Sequence, residues 1–368
     1  MLIGAKNYKS IWLDESDPVS VKAIDQKKLP FFLEILELRS VDDIFNAVRD
    51  MSIRGAPVIG AAGAFGIYLA TLEVTPATNI CHHLDNAARY LISCRPTAVN
   101  LSWAVNHVME RLKGIKEENL TGAARKIVVE FIEAEVERCR QIGVHGLKVI
   151  EDISRQKEGR PVNILTHCNA GWLACIDYGT VTAPVYLAHE SGIPVHVWVD
   201  ETRPLNQGAR LTAWELGQAG VPYTLITDNA GGHLMQHGMV DLVLAGSDRT
   251  TAGGDVANKI GTYLKALAAF ENRIPFYSLF PSSSLDAQIN DGLKEIPVEE
   301  REPEEVTTVS GLLAGKIETV RVCPENCIAA NYGFDVTPAK YITGLITERG
   351  ICRPEEKEIK KMFPDKFI

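Results

Sequence analysis

From residue 162 onward, short apolar runs alternate with segments of helical periodicity, and this rhythm restricts what the chain can fold into more than any other feature. The runs at 162–166, 195–199, 223–227, 242–245 and 275–280 read as strands buried on both faces. Between them, 183–190, 209–219, 232–237 and 257–270 carry apolar residues at helical spacing. Strand and helix in alternation build right-handed βαβ units, so the expectation is an α/β fold with a Rossmann-like, doubly wound parallel sheet. Ligands of such sheets bind beyond the carboxyl ends of the strands. At those positions stand His167-Cys168-Asn169, Asp200-Glu201, Asp228-Asn229, Asp248-Arg249 and Ser282-Ser283-Ser284.

The earlier part of the chain reads differently. Residues 10–13, 19–24 and 34–38 are strand-like, and the turn signal Glu15-Ser16-Asp17-Pro18 separates the first two. Ser40-Val41-Asp42-Asp43 supplies an N-cap and an acidic first turn for a helix reaching about residue 51. From 56 to 154 the pattern is helical, with Gly60, Gly63 and Gly66 suited to close helix packing. Lys157-Glu158-Gly159-Arg160-Pro161 then interrupts it. The expected organisation is a smaller N-terminal domain, 1–157, of short antiparallel strands plus helices, and a Rossmann-like catalytic domain, 158–368.

A formal net charge of −9 speaks against a nucleic-acid or anionic-membrane partner, which calls for a basic face. No uncharged apolar stretch reaches the roughly 18–20 residues of a membrane span, and the first residues lack a signal-peptide pattern. The eight cysteines show no CxxC pair, so most are expected to be buried free thiols in the reducing cytosol. His233 and His237 have a metal-ligand spacing but no HExxH glutamate; neither GxGxxG after the first strand nor a P-loop is present. No metal or cofactor is therefore expected. The acidic stretch 299–305 reads as a solvated loop.

Cys168 sits where a strand runs into a loop, and Asn169 and Gly171 permit a tight turn or a positive φ there. A thiol so placed serves as acid, base or nucleophile according to its surroundings. Asp248 leaves an apolar strand; it is either a proton donor in a closed pocket, or a cap of the following turn or the partner of Arg249. Asn258 and Lys259 fall at the expected start of a helix, where a lysine opposes the macrodipole unless an anion is bound. Arg54-Gly55-Ala56-Pro57 and Arg95-Pro96-Thr97-Ala98 each set an arginine before a helix start, a scheme suited to phosphate. Glu201-Thr202-Arg203-Pro204 with Gln207-Gly208 adds a polar loop suited to sugar hydroxyls.

Taken together, these motifs, with Gln207-Gly208-Ala209-Arg210-Leu211-Thr212-Ala213-Trp214-Glu215, Gly254-Asp255-Val256-Ala257-Asn258-Lys259-Ile260-Gly261-Thr262 and Phe334-Asp335-Val336-Thr337-Pro338, resemble the methylthioribose-1-phosphate isomerases over nearly the whole chain. The resemblance implies an aldose–ketose isomerase of methionine salvage, acting on a small sugar phosphate and commonly dimeric. It implies Cys168 and Asp248 as the catalytic pair, and Arg54, Gly55, Ala56, Arg95, Gln207, Asn258 and Lys259 as substrate-binding residues. Ser247 and Asn331-Tyr332-Gly333 depart from the family pattern and leave substrate preference open. The alternatives are 5-deoxyribose 1-phosphate or ribose 1,5-bisphosphate as substrate, or a non-catalytic regulatory subunit of the related translation-initiation exchange factor.

Overall fold

The computed structural model describes residues 1–74, 79–95 and 99–367, so Pro96-Thr97-Ala98 of the second arginine motif lies outside the described residues. By contacts the chain forms two compact units: Ala5–Cys139 with Met1 and Trp172–Gly179, and Arg140–Gly171 with Leu2–Gly4 and everything from Thr180 onward. The division falls inside a long helix, which ends at Arg155, just before the interruption read at Lys157.

In the first unit, β1 (Ile11–Leu13), β2 (Val21–Ile24) and β3 (Ile35–Leu38) pair antiparallel in that order. Helix α1 (Val41–Arg49) opens with a capping box: Asp43 N–H donates to Ser40 Oγ at 3.1 Å, and Ser40 N–H donates to the Asp43 carboxylate at 3.0 Å. Helix α2 (Ala56–Leu72) is apolar all round, and every residue from 57 to 71 is buried. Such a helix must be enclosed on all sides, and α1, α3 (Ile80–Ser93) and α4 (Val99–Leu112) enclose it. The glycines permit the approach. A Cβ on Gly63 would lie 2.6 Å from Leu101, and one on Gly66 would lie 2.7 Å from Leu91. Helix α5 (Leu120–Arg155) contributes to this unit as far as Cys139.

The second unit alternates as expected: β4 (Val162–Thr166), α6 (Thr182–Glu190), β5 (Val195–Asp200), α7 (Ala213–Gln218), β6 (Tyr223–Ile226), α8 (Ala230–Gln236) and β7 (Leu242–Gly246). Then come β8 (Arg249–Thr251), β9 (Val256–Lys259), α9 (Thr262–Glu271), β10 (Phe276–Leu279) and β11 (Leu285–Asp286). A hairpin of β12 (Thr308–Leu313) and β13 (Lys316–Arg321) follows, then β14 (Phe334–Thr337), β15 (Gly344–Thr347) and β16 (Gly350–Cys352). The main sheet runs β16-β15-β10-β7-β4-β5-β6, parallel except for β16. The chain leaves central β4 for β5 and β6, then returns to lay β7 on the other side of β4. That reversal is a topological switch point.

Three expectations are corrected. Asn258 and Lys259 do not begin a helix; they lie on β9, within a second sheet ordered β11-β8-β9-β14, opposite Asp335 and Phe334. The pairing partner is remote in sequence, so local periodicity missed it. The helix starts only at Thr262, after Gly261 adopts φ 101°. In the acidic stretch, Glu300, Glu302 and Glu304 are exposed, but Arg301 and Glu305 are half-buried. Arg301 bridges Glu305 at 2.5 Å, Asn331 donates to it at 2.8 Å, and Arg203 donates to the carbonyls of Glu305, Val306 and Thr308. Burial alone would raise the Glu305 carboxyl; these bonds from Arg301 and Asn331 hold it below its ordinary value. Finally, only Cys139 and Cys175 of the eight free cysteines are buried; Cys94 merely ends α3, half-exposed. Among the described residues, no helix is long and apolar enough to cross a membrane.

Replacing Ser40 by Ala removes the acceptor of the capping box. It should lower stability by about 1 kcal/mol, read as a reduced urea midpoint at unchanged slope.

Candidate active site

Cys168 follows β4 with φ 63°, in the left-handed region that a residue with a side chain rarely enters. Positive φ was expected nearby, at Asn169 or Gly171; it falls on the cysteine itself. Its backbone is held at both ends: its N–H donates to Thr202 Oγ1 at 2.8 Å, and its C=O accepts from Thr212 Oγ1 at 2.7 Å. Thr202, also at positive φ, donates its hydroxyl to Asp200 O and its N–H to Asp228 Oδ1 at 2.7 Å. Asn169 Nδ2 donates to Thr212 Oγ1 and to buried Glu215 Oε1, at 3.2 and 3.1 Å. A Cβ on Gly171 would run into the Glu215 carboxylate, which explains the glycine. The loop is therefore pinned by side chains from the exits of β5 and β6 and the start of α7. The thiol it presents is half-buried.

Below this loop lies a charge cluster in which His167, Asp200 and Asp228, read at the strand exits, are joined by Lys265, which the sequence reading did not single out. His167 Nδ1 is 2.9 Å from Asp200 Oδ2, and its Nε2 is 2.8 Å from Ile260 O. Lys265 Nζ lies 3.1 Å from the same Asp200 oxygen and donates to Asp228 O at 2.5 Å. Asp335 accepts the N–H groups of Gly261 and Tyr263 at 2.7 and 3.1 Å. Burial pushes the Asp335 carboxyl above the usual range, against those two bonds and the charges of His167 and Lys265. His167, Asp200 and Asp228 bring donor atoms within 4.8 Å of one another, as a cation site would. The Lys265 ammonium already meets that charge, and both His167 nitrogens are engaged. The rings of His233 and His237 lie 4.2 Å apart on the surface, tilted by 40°, and His237 Nδ1 is bonded to His233 O.

Asp248 leaves β7, the strand across the switch point from β4, and its N–H donates to Ala257 O at 3.0 Å. The Arg249 guanidinium lies 3.8 Å from Asp286. A Cβ on Gly246 would meet Ala170 at 3.0 Å and Asn258 Oδ1 at 3.8 Å. The ends of β4, β7 and β9 thus converge, bringing Cys168, Asp248, Asn258 and Lys259 to one edge of this unit. Asn258 Nδ2 donates to Thr262 Oγ1 at 3.1 Å, and Lys259 Nζ lies 5.0 Å from the Phe334 ring centroid. Gln207 is buried at the β5 exit, and among the described residues its Oε1 has no hydrogen-bond partner; neither have the hydroxyls of Ser283 and Ser284 beyond β10. Buried oxygens of this kind call for a polar ligand or water.

The first unit carries the remaining candidates. Gly55 caps α2 with φ 100°, and a Cβ there would lie 2.5 Å from Ala174. No side chain caps this helix start, and Arg54 precedes it, buried. Arg95 Nη1 lies 3.5 Å from Met51 Sδ, three residues before Arg54.

Residues 52–354 match the profile of the initiation factor 2 subunit family, and the chain belongs to that family. Its relatives include named isomerases. Methylthioribose-1-phosphate isomerase of Desulfatibacillum aliphaticivorans is 56% identical over 369 residues, and that of Sinorhizobium medicae (strain WSM419) is 54% identical over 368, each covering 100% of both chains. The crystal structure of 5-methylthioribose 1-phosphate isomerase from Pyrococcus horikoshii OT3 matches with a TM-score of 0.86 at 37% identity, covering 98% of this chain and 97% of that one. A structure described as translation initiation factor eIF-2B, subunit delta, from A. fulgidus matches with a TM-score of 0.81 at 38% identity, covering 97% and 100%.

Gly261→Ala forces a side chain against the His167 ring at a positive φ. It should cost about 1–3 kcal/mol in urea unfolding and reduce turnover, whereas a silent substitution would contradict this packing.

Proposed function

We propose that the chain is an aldose–ketose isomerase that converts 5-methylthioribose 1-phosphate to 5-methylthioribulose 1-phosphate. The observation that carries this reading is the delivery of Cys168 and Asp248 from the two strands flanking the switch point, in a chain that matches named isomerases end to end. Residues 158–368 form the catalytic region, and Arg54, Gly55, Ala56, Arg95, Gln207, Asn258 and Lys259 bind substrate. The helix start at Gly55, the cations, and the orphan oxygen of Gln207 support those roles. The protein acts in methionine salvage in the cytosol as a homodimer.

The chemistry explains why two such groups are needed. Phosphate on C1 locks the sugar as an acetal, so ring opening requires a proton on the ring oxygen while the C1–O–phosphate linkage survives. Asp248 is the acid that donates it. One hydrogen then moves from C2 to C1, and the C2 hydroxyl gives up its proton to become the ketone. Cys168 serves as the base if the C2 hydrogen leaves as a proton, and as a stabiliser if it moves as a hydride. Product formed in D2O with deuterium at C1 marks the first route.

The eIF-2B neighbour supports a second reading, a binding subunit without turnover. Incubation with methylthioribose 1-phosphate, followed by phosphorus NMR, separates the two. Conversion is expected, with kcat/KM higher than for 5-deoxyribose 1-phosphate or ribose 1,5-bisphosphate; no conversion favours the binding subunit. Cys168→Ser and Asp248→Asn should each lower kcat by roughly a hundredfold to ten-thousandfold with circular dichroism unchanged. Near-normal turnover in both would remove the catalytic assignment. Activity should survive EDTA.

A further inference from the structure

We propose that His167 is a positioning residue held as an imidazolium, whose two ring protons tie the corner carrying Asn258 and Lys259 to the strand end carrying Cys168. The inference rests on the roles assigned to those three residues above, but its first test needs no activity.

The ring faces an acceptor at each nitrogen. Nε2 lies 2.8 Å from the Ile260 carbonyl oxygen, which only accepts, so Nε2 carries a hydrogen. Nδ1 lies 2.9 Å from Asp200 Oδ2. The Lys265 ammonium, which can only donate, lies 3.1 Å from that same oxygen, so the oxygen is an acceptor and Nδ1 carries a hydrogen too. A neutral imidazole has one N–H and would set a lone pair against an oxygen at its other end. The charged groups facing the ring are Asp200 from β5, Lys265 from α9 and Asp335 from β14; Asp228, beyond β6, borders Lys265 through its carbonyl.

Geometry then transmits the position of the ring. Gly261, at φ 101°, presses its backbone on the imidazole so closely that a Cβ would lie 3.0 Å from Cε1 and 3.1 Å from Nε2. The ring cannot move without moving Ile260 and Gly261, and Lys259 and Asn258 immediately precede them on β9. On its other side, His167 is joined directly to Cys168. An apolar side chain could fill the same volume without the cost of a buried charge. What it could not do is grip a carbonyl at one end and a carboxylate at the other.

A nitrogen–proton correlation spectrum of protein carrying isotope-labelled histidine is the first test, with the His167 signals assigned by their loss in His167→Gln. Both ring nitrogens should bear protons at neutral pH. A bare ring nitrogen in the folded wild type overturns the proposal, whether or not the protein turns over its sugar. The second test is Asp200→Asn, in which no carboxylate retains the second proton. Its KM for methylthioribose 1-phosphate should rise roughly tenfold to hundredfold, the loss of one charge-assisted hydrogen bond, under mildly alkaline conditions, and should recover on acidification relative to wild type. A defect of equal size at every pH indicates packing alone and also overturns the proposal.

Discussion

The reversal of strand order between β4 and β7 is the constraint on which the rest of the molecule's chemistry depends. Elsewhere in a parallel sheet, helices crowd the ends of adjacent strands. Where the winding changes direction, the two following segments diverge and leave a crevice. Here the segment after β4 presents Cys168 and the segment after β7 presents Asp248. Neither residue lies near the other in sequence; the pairing of β4 with β7 brings their segments to the same sheet edge.

A crevice does not orient a thiol, and the surrounding hydrogen bonds do that work. The left-handed backbone at Cys168 and again at Thr202 costs about 1–3 kcal/mol at each position. Thr202 and Thr212 offset that cost by bonding the cysteine's N–H and C=O, and Asp228 and Asn169 hold those threonines in turn. Strain supported from four directions indicates a side chain whose direction matters more than local stability. Elsewhere in the unit, β6 is mostly exposed and lies at the edge of the sheet.

The alternation of apolar runs made the main sheet legible because a strand buried on both faces is written in contiguous residues, as in β4 and β7. Likewise, Ser40 and Asp43 announced the start of α1 because a cap is a local bond. What stayed hidden depends on remote partners. Strand β9 looks helical until β14, whose Asp335 stands opposite Asn258, is brought beside it. Arg301 and Glu305 look solvated until Asn331 and Arg203 arrive. The candidate residues themselves were visible as polar groups at strand exits, as were His167, Asp200 and Asp228, but the lysine that joins them was not. Lys265 is one of several ordinary lysines in the sequence, and only the fold buries its ammonium between Asp200 and Asp228.

That buried cluster also bears on how one fold serves both isomerases and proteins described as initiation-factor subunits. Shared architecture sets where a site can form, and the side chains at that place decide whether it performs chemistry. A subunit that only binds a partner has no need for a strained cysteine backbone, nor for an aspartate at the opposing strand end. The strained backbone incurs a folding cost. This chain retains them together with buried oxygens at Gln207, Ser283 and Ser284 that find no partner among the described residues. A fold freed from catalysis would tend to lose such costs first, as hydrophobic or self-satisfied residues replaced them. Their coexistence at one sheet edge supports the proposed enzyme reading.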